Sequence, residues 1–130
     1  MSWFMTPLRV QLIDEIDRAN VAGGDGLRAS WRLLTPLKYD SDYLKKVIEV
    51  PAGFDTDFSS TPKGMQQYAF KASVLHDWAY RTKSLSKEDA DEMFLEAMLV
   101  DQIPVAHTYY LAVKSFGQMS YDSNFNGWPD

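Results

Sequence analysis

The sequence predicts an α+β fold: a small antiparallel sheet in the N-terminal half packed on about three helices in the C-terminal half. Three observations carry that expectation. Up to about residue 61, apolar residues come in short alternating runs broken by Gly, Pro and Asp, as in strands and turns. From about residue 62 the apolar spacing changes to three and four, as on the buried face of a helix. The chain has 130 residues, 45% of them apolar, which is enough to bury a core as one domain. The expected division is 1–61 mainly β, 62–119 mainly α, and an aromatic-containing tail over 120–130.

The first predicted strand is Leu8 to Ile13, L-R-V-Q-L-I, where apolar and polar residues alternate. Asp14 to Ala19 reads as a short helical turn, and Ala22-Gly23-Gly24-Asp25-Gly26 as a loop. Ser30 to Leu37 is the second strand, carrying Trp31 and Leu33. Asp40-Ser41-Asp42 is a polar turn. Lys45 to Val50 is the third strand, ended by Pro51-Ala52-Gly53.

Met65 to Arg81 is the first predicted helix, with apolar groups at Phe70, Val74, Leu75 and Trp78. Ser59, Ser60 or Thr61 is expected to cap the coming helix, Thr61 being favoured with Pro62 at the first position. Ser86 is the N-cap of the second helix, with Asp89 in the place of the usual Glu of a capping box. That helix runs to about Val100 on a stripe of Ala90, Met93, Phe94, Ala97 and Met98. Glu88, Asp89, Asp91 and Glu92 crowd its first two turns, where carboxylates complement the helix dipole. The third helix is Val105 to Met119. The tail holds Tyr121, Phe125 and Trp128, and disordered segments are poor in aromatics. It is therefore expected to dock, on its own domain or on another chain.

Composition excludes several classes of function. The net charge of −5 argues against nucleic acid as a main partner, because phosphate binding needs concentrated Lys and Arg. There is no cysteine, so disulfides and thiolate metal sites are excluded, and any metal must take oxygen and imidazole ligands. No apolar run approaches the roughly 18–20 residues that cross a bilayer, so no transmembrane segment is expected. M-S-W-F-M-T-P lacks the basic region and apolar core of a signal peptide. Synthesis and folding in a reducing cytoplasm follow as the expectation.

The chemistry-bearing stretch is Phe70 to Tyr80, F-K-A-S-V-L-H-D-W-A-Y, which holds one of the two histidines. On a helix His76 and Tyr80 share a face, and Asp77 is turned from His76 by about 100°. Histidine suits general-base work, since its pKa lies near neutrality. Asp91, from the next helix, is placed to hold the far ring nitrogen of His76 and fix its tautomer. Tyr80 is placed to donate to that same carboxylate. Asp77 suits a hard cation, and the loop Gly53-Phe54-Asp55-Thr56-Asp57 adds Asp55 and Asp57. The candidate set is thus His76, Asp91 and Tyr80 for catalysis, and Asp77, Asp57 and Asp55 for a metal. The competing reading is a hydrogen-bonded core histidine, ordinary turn aspartates and a packing tyrosine. His107 reads as a surface residue.

Two resemblances bear on these residues. T-P-L-K-Y-D-S, V-P-A-G-F-D-T-D-F-S-S-T-P, A-S-V-L-H-D-W-A-Y and A-D-E-M-F-L-E-A-M occur in that order between Thr35 and Gly117. They resemble a family of small phage and prophage proteins of unassigned function. That resemblance implies a phage context: synthesis in the host cytoplasm, incorporation in the virion, and a place in the tail or baseplate. The partners it implies are other virion proteins, or a second copy, met through the C-terminal tail.

H-D-W-A-Y-R followed by A-D-E-M-F is also similar to the active-site helices of calcium-dependent secretory phospholipases. This implies His76 as the base that activates water, Asp77 as a calcium ligand, Asp91 as the residue orienting the histidine, and Tyr80 as its support. Calcium is the implied cofactor, zinc the second choice, and a metal-free centre the alternative. The glycine-rich calcium loop of that family is replaced here by P-A-G-F-D-T-D-F, with one glycine. Two functions follow as expectations. One is a hydrolase acting on an ester or amide of the host envelope, lipid or peptidoglycan. The other is a non-enzymatic tail or baseplate protein in which the His-Asp-Tyr cluster only stabilises the fold.

Overall fold

The structure is a computed structural model and describes residues 1–17, 27–56, 69–116 and 118–123. Among the described residues six strands precede four helices: β1 Trp3–Phe4, β2 Val10–Asp17, β3 Leu27–Leu33, β4 Leu37–Ser41, β5 Lys46–Val50, β6 Asp55–Thr56, α1 Phe70–Thr82, α2 Lys87–Val100, α3 Ala106–Phe116 and α4 Gln118–Ser123. The α+β class is as expected. The strands form two three-stranded antiparallel sheets rather than one, in the orders β1-β4-β5 and β2-β3-β6. Two of the six strands, β1 and β6, are two residues long. Alternation cannot reveal so short a strand, because it needs several residues to repeat.

Three boundaries in the β half differ from expectation. Asp14 to Asp17 continues β2 instead of turning helical, because β3 supplies backbone partners as far as Asp17↔Leu27. A register shift between Leu12 and Asp14 breaks the side-chain alternation there, which is how a bulge hides a strand from a period-two reading. The expected strand Ser30 to Leu37 is the end of β3 and the start of β4, split before Leu37. Pro36 sits in that split and has no N–H to give to a ladder. Asp40 and Ser41 belong to β4, paired with Val47 and Lys46. The turn falls on residues 42–45 and ends at Lys45 with φ 58. Gly53 takes φ 91 between β5 and β6, a left-handed value that glycine adopts without strain.

The helices follow their apolar stripes. In α2 the five residues Ala90, Met93, Phe94, Ala97 and Met98 are all buried. Ser86 caps it, its side chain accepting the Asp89 amide at 3.1 Å. The Asp89 carboxylate accepts the Tyr43 hydroxyl at 2.9 Å. Helix α1 begins at Phe70 after the non-helical Ala69, later than the expected start at Met65, and the expected Thr61 cap and Pro62 lie outside the described residues. Within the expected third helix, Ala106–Phe116 and Gln118–Ser123 are helical, and Gly117 lies outside the described residues. Within α4, Tyr121 docks on its own chain: its ring meets Tyr80 edge-on at 5.1 Å and its hydroxyl donates to the Leu85 carbonyl at 3.0 Å. Phe125 and Trp128 lie outside the described residues.

Leu33, Leu37, Tyr39, Val50 and Phe54 from the β half meet Val74, Leu75, Met93, Phe94 and Met98 in one core. Glu96 fastens the two halves together. Its carboxylate accepts the Tyr39 hydroxyl at 2.8 Å, the Ser41 hydroxyl at 2.7 Å and the Tyr43 amide at 2.8 Å. Burial and the bond to Glu96 push the Tyr39 phenol pKa up. Among the described residues no helix is long and apolar enough to cross a membrane.

Candidate functional site

Helix α1 lies between the sheets and α2, and nine of its residues are buried: Ala72, Ser73, Val74, Leu75, His76, Asp77, Ala79, Tyr80 and Arg81. Burial of a polar side chain is tolerable only with hydrogen-bond partners, and burial of a charge only with a counter-charge. The polar members of α1 therefore dictate what packs around them. His76, Asp77, Tyr80 and Arg81 form two clusters, one facing α2 and one facing β6, while the buried Ser73 hydroxyl has no hydrogen-bond partner among the described residues.

The first cluster centres on Asp91. His76 Nε2 lies 2.8 Å from Asp91 Oδ1, and the Tyr80 hydroxyl donates to the same oxygen at 2.6 Å. The Lys87 ammonium donates to the other oxygen at 2.7 Å. The same ammonium lies 3.3 Å from the carbonyls of Val113 and Lys114, at the C-terminal end of α3. The His76 ring lies against Tyr80, with centroids 4.0 Å apart, and against Phe94 at 4.8 Å. His76 is 0% exposed and Asp91 2%.

Burial pushes the Asp91 carboxyl pKa up, but bonds from His76, Lys87 and Tyr80 outweigh it and hold it below the ordinary value. Burial first, and then the bond to Asp91, push the Tyr80 phenol up. An ionised carboxylate only accepts, so Nε2 supplies the hydrogen in its bond to Asp91. In the neutral ring the lone pair is then on Nδ1, the nitrogen directed away from Asp91. That is the tautomer a histidine base requires.

The second cluster centres on Asp77, which is 0% exposed. Arg81 Nε lies 3.2 Å from Asp77 Oδ1, one helical turn along α1. The Thr56 hydroxyl of β6 donates to Asp77 Oδ2. This second bond ties the sheet to the helix, and the Phe54–Trp78 edge-on ring contact at 5.1 Å reinforces it.

The structure thus brings His76, Asp91 and Tyr80 together and sets Asp77 in a neighbouring, separate cluster. Asp55 is turned elsewhere: its two oxygens accept Arg32 Nε at 2.7 Å and Nη2 at 2.9 Å, a forked pair at the β3–β6 edge. Asp57 lies outside the described residues. His107 is exposed.

As placed, the described carboxylates do not make a calcium donor set. Calcium takes six to eight oxygens at about 2.3–2.6 Å, whereas Asp77 and Asp55 each face an arginine. Among the described residues no group of three or more His, Asp or Glu side chains is placed to hold a metal ion.

Three participants escape a motif reading: Arg81, Lys87 and Thr56. Two of them had a signal. Asp77–Arg81 and Lys87–Asp91 are opposite charges four apart on a helix, the spacing at which side chains meet. Thr56 lies inside the V-P-A-G-F-D-T-D-F stretch, but its partner is set by the docking of β6 on α1. A pocket of about 370 Å³ lined by Lys87, Glu88, Asp91, Tyr110, Lys114 and Gln118 approaches Asp91 from its Lys87 side.

An α+β chain with a buried carboxylate shared by a histidine, a tyrosine and a lysine is what the fold and the site define. Residues 31–113, more than half of the chain, match the family described as protein of unknown function (DUF1353), and the chain belongs to that family. The matched region contains both clusters. No curated protein and no solved structure matches the chain.

Proposed function

We propose that this chain is a hydrolase-like protein in which His76 activates a water molecule against an ester or amide bond. Asp91 orients the imidazole, and Tyr80 holds Asp91. In the reaction, Nδ1 takes a proton from water while the oxygen of that water bonds to the carbonyl carbon. The same proton passes to the departing alkoxide or amine as its bond to the carbon breaks. The observation that supports this reading most is the convergence of His76 Nε2 and the Tyr80 hydroxyl on one oxygen of Asp91. The resemblance to small phage proteins supports a phage-encoded chain, tail- or virion-associated, with envelope lipid or peptidoglycan as substrate.

The test is hydrolysis of phospholipid vesicles and of purified peptidoglycan by wild type and His76→Ala, with melting temperatures measured alongside. Loss of hydrolysis at a nearly unchanged melting temperature is the expected result. A His76→Ala chain that fails to fold assigns the histidine to structure instead.

A second reading, a non-enzymatic tail or baseplate protein, is favoured by the complete burial of both His76 and Asp77. It makes the two clusters pure fold-holding devices. It is distinguished by association with other virion proteins, or with itself, that deletion of residues 121–130 weakens.

A further inference from the structure

We propose that Arg81 is the resident counter-ion of Asp77, so that its guanidinium and a divalent cation exclude one another at that carboxylate. The two side chains are 8% and 0% exposed, and Nε stands 3.2 Å from Oδ1. Guanidinium stays charged at every relevant pH and is weakly hydrated, so it enters a buried ion pair more readily than an ammonium. Thr56 occupies the second oxygen.

A divalent ion arriving at Asp77 has two routes, and both are unfavourable. It can displace Arg81, which parts a buried guanidinium from the Asp77 carboxylate. Or it can bind beside Arg81, which sets a double positive charge against a single one where water screens little. The rest of the site follows the same rule. Asp91 carries Lys87 at 2.7 Å, and Asp55 carries Arg32 at 2.7 Å. Each candidate carboxylate among the described residues therefore has a cation from the chain itself. The inference concerns the ion at Asp77 and is independent of whether His76 is catalytic.

The test combines thermal melting and calorimetric titration, with calcium chloride and zinc chloride as the probes and EDTA-treated protein as the reference. For wild type, no heat of binding and no rise in melting temperature that depend on Asp77 are expected. Calcium binding by wild type that disappears in Asp77→Asn overturns the proposal. Arg81→Gln is expected to melt lower than wild type, and calcium is expected to raise its melting temperature in a manner lost in Arg81→Gln/Asp77→Asn. A folded Arg81→Gln protein that calcium leaves unmoved overturns it as well. Where Arg81→Gln does not fold, the double variant decides. Recovery of a cooperative fold on removing both charges supports the pairing, and failure to recover counts against it.

Discussion

His76 Nε2 and Asp91 Oδ1 stand 2.8 Å apart across the α1–α2 interface, fifteen positions apart in the chain. The connection runs through Ser84 and Leu85 to the Ser86 cap, which starts α2 with Asp91 in its second turn. Because the Asp91 carboxylate is buried, its three partners share one fate with it. Whatever changes its charge changes the packing of α1, α2 and the end of α3 together.

Acid should therefore act through Asp91. Its folded pKa is depressed, so its contribution to stability is complete above the unfolded carboxylate value of about 3.9 and is lost as pH falls through the still lower folded value. Urea unfolding of wild type should show stability falling as pH drops below about 4. Asp91→Asn should lose about 3 kcal/mol at pH 7, by leaving Lys87 without its counter-charge. It should also flatten that acid limb. An unchanged limb in Asp91→Asn would place the acid sensitivity at other carboxylates.

Tyr80→Phe keeps the ring contact with His76 and removes one hydrogen bond to a buried anion. The expected loss is about 1.5–3 kcal/mol in denaturant unfolding. Under the hydrolase reading the residual activity should exceed that of His76→Ala, because His76 keeps its own bond to Asp91. Equal activity losses in the two variants, with Tyr80→Phe still folded, would give the tyrosine hydroxyl a larger part than support.

Glu96→Ala should be a damaging change outside the two clusters. It removes the acceptor for the Tyr39 hydroxyl, the Ser41 hydroxyl and the Tyr43 amide at once. A loss of about 2–4 kcal/mol is expected, since each buried donor left unmet costs about 1–3 kcal/mol and the more exposed ones regain water. Glu96→Gln keeps an acceptor oxygen and should lose less. Chemical denaturation of the two variants side by side checks the order.

How much of this was legible in the chain depends on how local the cause is. The stripe of α2, its Ser86 cap and the α+β class rest on spacing within a few residues. Helical geometry put His76 and Tyr80 on one face, and a carboxylate in the early turns of the following helix was the natural partner for both. The ends of the strands were less legible. At Asp14 the pairing with β3 overrode what a bulged stretch says on its own, and β1 and β6 are too short to announce themselves.

The sequence by itself determined which side chains could do chemistry, and that Asp91 could meet His76, because helix period and cap positions are local properties. Only the tertiary structure decided what surrounds each carboxylate. Asp77 is held by Arg81 and by a threonine from β6, Asp55 is turned onto Arg32, and Lys87 takes the second oxygen of Asp91. The physical reason is burial: once docking of α1 against β6 and α2 removes water from a charge, the nearest counter-charge is no longer optional.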